Sequence, residues 1–146
     1  MNREIRTILL AEDSSADAEM ALDALREAKL VNPVVHVEDG VEALDYLFCR
    51  NSFSGRARGN PAVVLLDIKM PRLDGLEVLQ NMRANEHLKR VPVVILSSSR
   101  EESDLVHSWN LGVNAYVVKP VDVSQFFSAV QTLGQFWALL NEFPQE

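Results

Sequence analysis

Short apolar runs alternate with longer amphipathic stretches along this chain. The apolar runs are continuous and rich in β-branched residues, and they occupy positions 5–11, 33–38, 62–67, 91–97 and 115–119. Continuous runs of this length are typical of strands that are covered on both faces, as in a parallel sheet. The stretches between them carry apolar residues three and four positions apart, which predicts helices. Strict alternation of strand and helix predicts an α/β fold, a doubly wound five-stranded parallel sheet with helices on both faces.

The starts of the predicted helices carry capping signals. At four strand-to-helix junctions an acidic or hydroxyl residue is followed three positions later by Glu or Gln, as in a capping box; the pairs are Asp39/Glu42, Asp74/Glu77, Ser99/Glu102 and Asp122/Gln125. Either Ser14 or Ser15 can cap the first helix. The one irregular stretch, residues 50–61, is rich in Gly, Ser and Arg and is predicted to be an extended surface loop.

Composition narrows the class of protein. A length of 146 residues with 47% apolar content predicts one soluble domain, residues 1–146, with a sizeable core. No apolar run approaches the roughly 20 residues that span a bilayer, and we see no signal peptide, so we expect a cytoplasmic protein without a membrane partner. The net charge of -7 disfavours direct nucleic-acid binding. The single cysteine excludes an internal disulfide and a cysteine-based zinc site.

Polar residues stand where four of the predicted strands end. Glu12 and Asp13 end the first strand, Asp67 the third, Ser97 the fourth and Lys119 the fifth. Because ligands bind beyond the carboxyl ends of parallel strands, we expect these groups to converge at one edge of the sheet. Taken singly, Asp13 fits a helix cap, and Ser97 and Lys119 fit ordinary loop positions. Taken together, these strand-end residues indicate a ligand-binding site.

The chemistry of that set favours a metal and a phosphoryl group. Three neighbouring carboxylates repel each other unless positive charge lies among them. One lysine supplies part of that charge, and Mg²⁺, which prefers oxygen ligands, would supply the rest. A carboxylate beside Mg²⁺, an ammonium and a hydroxyl can accept a phosphoryl group as an aspartyl phosphate. The loop after the first strand has neither glycine-rich nucleotide pattern, which argues against a nucleotide or flavin site.

Four motifs together resemble the receiver domain of two-component response regulators. In chain order they are "LLAEDSSAD", "VVLLDIKMPRLDG", "VVILSSS" and "NAYVVKP". The resemblance covers nearly the whole chain and implies the strand order 2-1-3-4-5. It further implies a signalling protein that catalyses only its own phosphorylation and dephosphorylation, with a sensor histidine kinase as its partner.

The resemblance also implies a role for each matching residue. Asp67 is expected to be the phosphoacceptor. Glu12 and Asp13 are expected to hold Mg²⁺ together with Asp67 and the main-chain carbonyl of Lys69. The acidic pair here is Glu-Asp rather than the commoner Asp-Asp, which suggests that Glu12 contacts the metal through water. The Lys69 side chain is the other unusual feature: it either overhangs the site and alters the autodephosphorylation rate, or is simply solvated.

The remaining matching residues belong to the switch. Ser97 occupies the position of the hydroxyl that swings toward the phosphoryl group, and Ser98 the position that must be small. Tyr116 matches the aromatic residue that turns inward on activation. Lys119 is the matching lysine, and the resemblance predicts a cis peptide between it and Pro120.

Two further features resemble those of a subfamily, the small response regulators that pair with bacterial and cyanobacterial phytochrome kinases. They are the loop 50–61 and the apolar tail of the last helix. The tail carries more apolar surface than one side of a five-stranded sheet needs, which often marks an interface. We therefore expect a homodimer through helix four, strand five and helix five, with the segment 122–146 in the interface.

Two alternatives from other classes stay open on the sequence alone. The first is a Mg²⁺-dependent phosphatase of the haloacid dehalogenase type, which would share the strand-end aspartate. That family has a second acid two residues after its nucleophile, where this chain has Lys69. The second is an interaction module with the same fold that works without phosphorylation.

Overall fold

The computed structural model describes residues 6–30, 32–57 and 59–131. In these ranges five strands are present: β1 (Ile8–Ala11), β2 (Val34–Val37), β3 (Val63–Asp67), β4 (Val93–Ser97) and β5 (Ala115–Val118). The same ranges contain five α-helices: α1 (Ser15–Glu27), α2 (Gly40–Leu47), α3 (Gly75–Ala84), α4 (Arg100–Ser108) and α5 (Val123–Gln131). Each strand is followed by a helix, as the apolar pattern predicts.

The strands form one parallel sheet in the order β2-β1-β3-β4-β5, which confirms the predicted topology. The order in which strands are added reverses between β1 and β3: β2 lies on one side of β1, and β3, β4 and β5 lie on the other. In open α/β sheets, ligands bind at this switch point. In the register of the central strands, Asp67 lies opposite Leu96 and Ser97 lies opposite Val118. Several strands therefore end at the same edge.

Two hydrophobic cores cover the two faces of the sheet. Side chains along a strand alternate between faces, so Leu10 of β1 belongs to the core beneath α1 and α5, while Leu9 belongs to the core beneath α2, α3 and α4. Both leucines are fully buried. Every residue of β3 and β4 is buried as well. This explains the continuous apolar runs, and it makes the ends of these strands rigid points of attachment.

Helix caps confirm the predicted junctions. Asp74 and Glu77 form a reciprocal capping box at the start of α3, and Ser14, rather than Ser15, caps α1. Such caps satisfy backbone amides that a helix cannot pair internally. They fix where each helix begins relative to the strand before it, and hence the shape of the loops that carry the polar residues.

The loop of residues 50–61 is more ordered than an extended surface loop. It contains a 3-10 turn, Asn51–Phe53, whose first side chain donates a hydrogen bond to the buried Asp45 of α2 (3.0 Å). The guanidinium of Arg56 lies 3.9 Å from the centre of the Tyr46 ring. The segment lies on the surface between α2 and β3, as predicted, and most of its described residues are exposed, but it includes this 3-10 turn and its Arg56 packs on α2.

The predicted apolar tail lies mostly outside the residues that the structure describes, which end at position 131. The expectation of an interface in segment 122–146 therefore stays a prediction. Within the described ranges, no helix has both the length and the apolar character needed to cross a bilayer.

Candidate functional site at the carboxyl edge of the sheet

The structure brings three acidic residues together at the carboxyl edge of the sheet. Glu12 and Asp13 directly follow β1, and Asp67 is the last residue of β3. One carboxylate oxygen from each lies within 4.8 Å of the other two. Glu12 and Asp67 are buried and Asp13 is exposed, so the cluster opens to solvent on one side. This is the convergence that the strand ends predict.

Gly75 holds the end of β3 against the start of α3. Its amide donates to the carbonyl of Ile68 (2.7 Å). A Cβ atom on Gly75 would lie 2.1 Å from the carbonyl oxygen of Asp67, a distance that no side chain tolerates. The glycine therefore allows the helix to begin directly against the backbone of the candidate phosphoacceptor.

Lys119 is the cation of the site. Its Nζ lies 3.2 Å from Asp67 Oδ1, and it donates to Glu12 Oε1 and Asp17 Oδ2, both at 3.0 Å. Burial alone would lower the pKa of this lysine, but the hydrogen bonds to Asp17 and Glu12 and the nearby negative charges raise it. The lysine is therefore fully charged. Its peptide bond to Pro120 is cis, as predicted.

Asp17 is a member of this cluster that sequence reasoning missed. It lies in the first turn of α1, where acids are common because they complement the helix dipole. That ordinary role hid its contact with Lys119. An acid one helical turn after a strand-end acidic pair is the signal that could have indicated it.

Asp67 carries a strongly perturbed carboxyl group. Burial and the negative charge of Glu12 raise its pKa from 3.8 to about 7, although Lys119 opposes the shift. The site therefore holds more negative charge than its one lysine neutralises. A carboxyl group in this environment favours any cation that can enter.

The chain matches the response regulator receiver domain family over residues 8–131. It belongs to that family. Response regulator Rcp1 of Synechocystis sp. is 35% identical over 132 residues, which cover 90% of this chain and 88% of Rcp1. A solved Mn²⁺-bound form of Rcp1 matches with a TM-score of 0.73 and 33% identity, over 97% of this chain and 99% of that chain.

Two solved bacteriophytochrome response regulators are more similar still. RtBRR matches with a TM-score of 0.90 and 55% identity, over 95% of this chain and 84% of that chain. AtBRR matches with a TM-score of 0.89 and 58% identity, over 96% of this chain and 100% of that chain. The receiver domain is therefore homologous to phytochrome-associated response regulators, and the doubly wound fold is confirmed.

In this receiver domain the Ser97 hydroxyl forms a hydrogen bond with a side chain of helix α4. Ser97 is completely buried, and its Oγ lies 2.5 Å from Oγ of Ser103. The hydroxyl predicted to swing toward a phosphoryl group thus already has a partner. Ser103, six positions along the chain, was not predicted, because its approach depends on how α4 packs against β4.

Tyr116 is also bound to α4. The side chain is half-buried, and its hydroxyl lies 3.5 Å from Nδ1 of His107, with the two rings at 72° to each other. Burial and the charge of Asp104 raise the pKa of the phenol. His107 is thus the neighbour of the predicted switch tyrosine. Since Ser103 and His107 lie one helical turn apart, one face of α4 contacts both predicted switch residues.

The Lys69 side chain is exposed, and its ammonium forms an ion pair with a carboxylate of α4. Its Nζ lies 3.6 Å from Glu102 Oε2 in the first turn of α4. Glu102 Oε1 in turn accepts hydrogen bonds from the backbone amide of Ser98 (2.8 Å) and from its hydroxyl (3.3 Å). Neither the pair nor the role of Glu102 was predicted, since the pattern around Glu102 indicated only a helix cap.

The residues of the acidic cluster fit a hard divalent cation. Mg²⁺ is bound in proteins by one or two carboxylates and otherwise by carbonyls and waters. Glu12 Oε1 is occupied by Lys119 and Oε2 accepts from the amide of Ser14 (3.1 Å), whereas Asp13 is exposed. Asp13 and Asp67 are therefore the two carboxylates best placed to bind such an ion directly, with Glu12 available through water.

Proposed function

We propose that this receiver domain is a stand-alone phosphorylation switch in which Asp67 is the phosphoacceptor. The observation that carries the proposal is a buried strand-end carboxylate that has two acids within 4.8 Å and a lysine ammonium at 3.2 Å. In the reaction, an oxygen of Asp67 bonds to phosphorus while the bond from phosphorus to a histidine nitrogen of the donor kinase breaks. Lys119 neutralises part of the charge that this transfer brings to the site.

The proposed cofactor is Mg²⁺, held by Asp13, Asp67, Glu12 and the main-chain carbonyl of Lys69. The oxygen-only donor set and the excess negative charge support it, as does the solved Mn²⁺-bound form of the relative Rcp1. When bound, the ion would screen the repulsion between the anionic acceptor and the anionic phosphoryl group.

The proposed phosphoryl donor is a sensor histidine kinase of the phytochrome class. The support is homology to bacteriophytochrome response regulators at more than half sequence identity. Because such a kinase takes its phosphoryl group from ATP, we propose that the protein is cytoplasmic. With a net charge of -7, direct binding to nucleic acid is disfavoured, and the output is a change in binding to a protein partner or transfer of the phosphoryl group onward.

In the proposed switch, phosphorylation draws Ser97 away from Ser103 and releases Tyr116 from His107. The face formed by α4, β5 and α5 changes as a result. Leu105 on α4 and Trp109, the residue directly after α4, are 60% and 51% exposed, and these exposed apolar side chains support the proposed homodimer through α4, β5 and α5. A monomeric mass by light scattering at micromolar concentration would contradict the dimer.

The alternatives are less well supported. In a phosphatase of the haloacid dehalogenase type, the residue two positions after the nucleophile is a general acid and base. Here it is Lys69, an ammonium paired with Glu102. A module that never accepts phosphate has no need for Asp67, Asp13 and Lys119 to converge. We therefore propose no turnover of other substrates beyond slow hydrolysis of the protein's own phosphoryl group.

The decisive experiment is labelling with acetyl phosphate and Mg²⁺, followed by intact-protein mass spectrometry. Wild type gains one phosphoryl group, Asp67→Asn gains none, and removal of Mg²⁺ by chelation prevents labelling. Asp23→Asn is the matched control, because Asp23 is an exposed carboxylate on α1. Labelling of the Asp67→Asn variant would show that the acceptor assignment is wrong, and failure of the wild type to label with any phosphodonor would favour the phosphorylation-independent module.

A further inference from the structure

Glu102 joins the loop that follows β3 to the loop that follows β4. Its side chain is 9% exposed. One carboxylate oxygen accepts two hydrogen bonds from Ser98, the residue directly after Ser97, and the other lies 3.6 Å from the ammonium of Lys69, two residues after Asp67. A nearly buried carboxylate thus contacts both loops that flank the acceptor.

Helix capping accounts for only half of this arrangement. At the start of α2, Glu42 accepts a hydrogen bond from the amide of Glu38, the residue before the cap (2.8 Å). Glu102 makes the equivalent bond to the amide of Ser98 at the start of α4. Glu102 differs in that its second oxygen holds a lysine from the loop after β3. Within the described ranges, Lys69 has no other ion pair.

We infer that Glu102 is a positioning residue for phosphorylation, one that holds the Lys69 ammonium beside α4 until Asp67 is phosphorylated and then yields it to the phosphoryl group. The inference rests on the proposed function of Asp67. In this role the Glu102 carboxylate competes with the phosphoryl group for the Lys69 ammonium. The position of Glu102 in the cap of α4 does not require such a role.

The charges determine the direction of this exchange. The Lys69 side chain is 81% exposed, and exposed ion pairs contribute little, so the pair breaks easily. A phosphoryl group brings about two negative charges to a residue only two positions from Lys69. The ammonium is therefore attracted more strongly by the phosphoryl group than by the single charge of Glu102.

The exchange has a kinetic consequence. Hydrolysis of the aspartyl phosphate needs a water oxygen to bond to phosphorus while the bond to the Asp67 oxygen breaks, which releases inorganic phosphate and restores the carboxylate. A lysine ammonium on the phosphoryl group stabilises its charge and restricts the approach of water. Glu102 competes for that ammonium, so it shortens the lifetime of the phosphoryl group.

The test is the phosphoryl half-life in four proteins: wild type, Glu102→Gln, Lys69→Ala and the double variant. Each is labelled with acetyl phosphate and Mg²⁺, freed of the donor, and followed by intact-protein mass spectrometry. Glutamine keeps an oxygen for the Ser98 amide but loses the charge that holds Lys69, so the cap of α4 survives. Glu42→Gln is the matched control, since Glu42 makes the same backbone contact without a lysine.

We expect Glu102→Gln to lengthen the half-life roughly two- to fivefold, the range that corresponds to an exposed ion pair. Lys69→Ala shortens the half-life, the double variant matches Lys69→Ala, and Glu42→Gln matches wild type. If Glu102→Gln acts equally in the Lys69→Ala background, or leaves the half-life unchanged, the inference is overturned. A wild-type protein that never labels would instead overturn the proposed function.

Discussion

The ammonium of Lys119, which directly follows β5, lies 3.2 Å from the carboxylate of Asp67 at the end of β3, although β4 separates these two strands in the sheet. The same ammonium also holds Glu12, which is completely buried, and Asp17 of α1. One cation therefore joins the loops after β1 and β5, the end of β3 and the start of α1. Its contacts are part of the fold as well as part of the candidate site.

Removal of this cation is predicted to destabilise the protein. Lys119→Met leaves Glu12 with its charge buried and unpaired, and breaking a buried pair in this way costs about 3–5 kcal/mol. Urea unfolding at neutral pH without Mg²⁺ measures the loss. Glu12→Gln combined with Lys119→Met is expected to recover much of it, because the uncompensated charge is gone.

The control for this change is Lys89→Met. Lys89 pairs with the exposed Glu86 on the surface, so its loss is expected to change the free energy of unfolding by less than about 1 kcal/mol. Equal effects of the two substitutions would contradict the structural role of Lys119.

The pKa of Asp67 predicts a dependence of stability on pH. The folded protein holds a proton on this carboxyl group up to about pH 7, whereas the unfolded chain loses it near 3.8. Between these values the folded state binds more protons, so the contribution of Asp67 to the free energy of unfolding falls as pH rises and is constant above about pH 7. At about 1.4 kcal/mol for each pKa unit, the change amounts to a few kcal/mol.

Comparison with Asp67→Asn isolates this contribution, since the other groups titrate in both proteins. Without Mg²⁺, the variant is expected to gain stability relative to wild type as pH rises from about 4 to about 7. Urea unfolding at several pH values measures the difference. A difference that does not vary with pH would show that the Asp67 carboxyl group titrates normally.

The sequence was sufficient to predict the acidic centre because its geometry follows from the sheet. Parallel strands end at one edge, so Asp67 at the end of a continuous apolar run and Lys119 at the end of another had to lie at that edge. The order of the strands did not follow from the apolar pattern and came from the family resemblance. The cap of α3 was visible in the sequence too, since a capping box depends only on residues three positions apart.

The contacts of α4 were not predictable in the same way. Ser103, His107 and Glu102 contact Ser97, Tyr116 and Lys69 because of the rotation and tilt of α4 on the sheet, and both depend on side-chain packing along the whole helix. A sequence pattern shows which residues share a helical face but not which strand or loop that face meets. The residues that connect the acidic centre to α4 were therefore missed.

The hydroxyl pair Ser97 and Ser103 predicts non-additive effects of substitution. Ser103→Ala leaves the buried Ser97 hydroxyl without its partner, at a cost of about 1–3 kcal/mol in the free energy of unfolding. Replacing both serines by alanine is expected to cost less than the sum of the single changes, because no polar group is then left unpaired. Thermal or urea unfolding of the four proteins in the cycle measures the coupling.

A control on the same helix is Ser108→Ala. Ser108 is exposed at the end of α4, and its loss is expected to change stability by no more than about 0.5 kcal/mol. Strictly additive effects of Ser97→Ala and Ser103→Ala would show that their hydrogen bond contributes nothing to the folded state.

The close approach of Gly75 to Asp67 predicts that a substitution that changes no polar group slows the proposed phosphorylation. In Gly75→Ala the new methyl carbon would lie 2.1 Å from the carbonyl oxygen of Asp67, so either the end of β3 or the start of α3 must shift. We expect destabilisation of roughly 1–3 kcal/mol, as in other overpacked sites, and slower labelling by acetyl phosphate because the Asp67 carboxylate moves relative to Lys119 and Asp13. Gly55→Ala is the matched control, since no atom lies within 4 Å of the added carbon in that exposed loop. Wild-type stability and labelling in Gly75→Ala would show that the start of α3 does not fix the position of the acceptor.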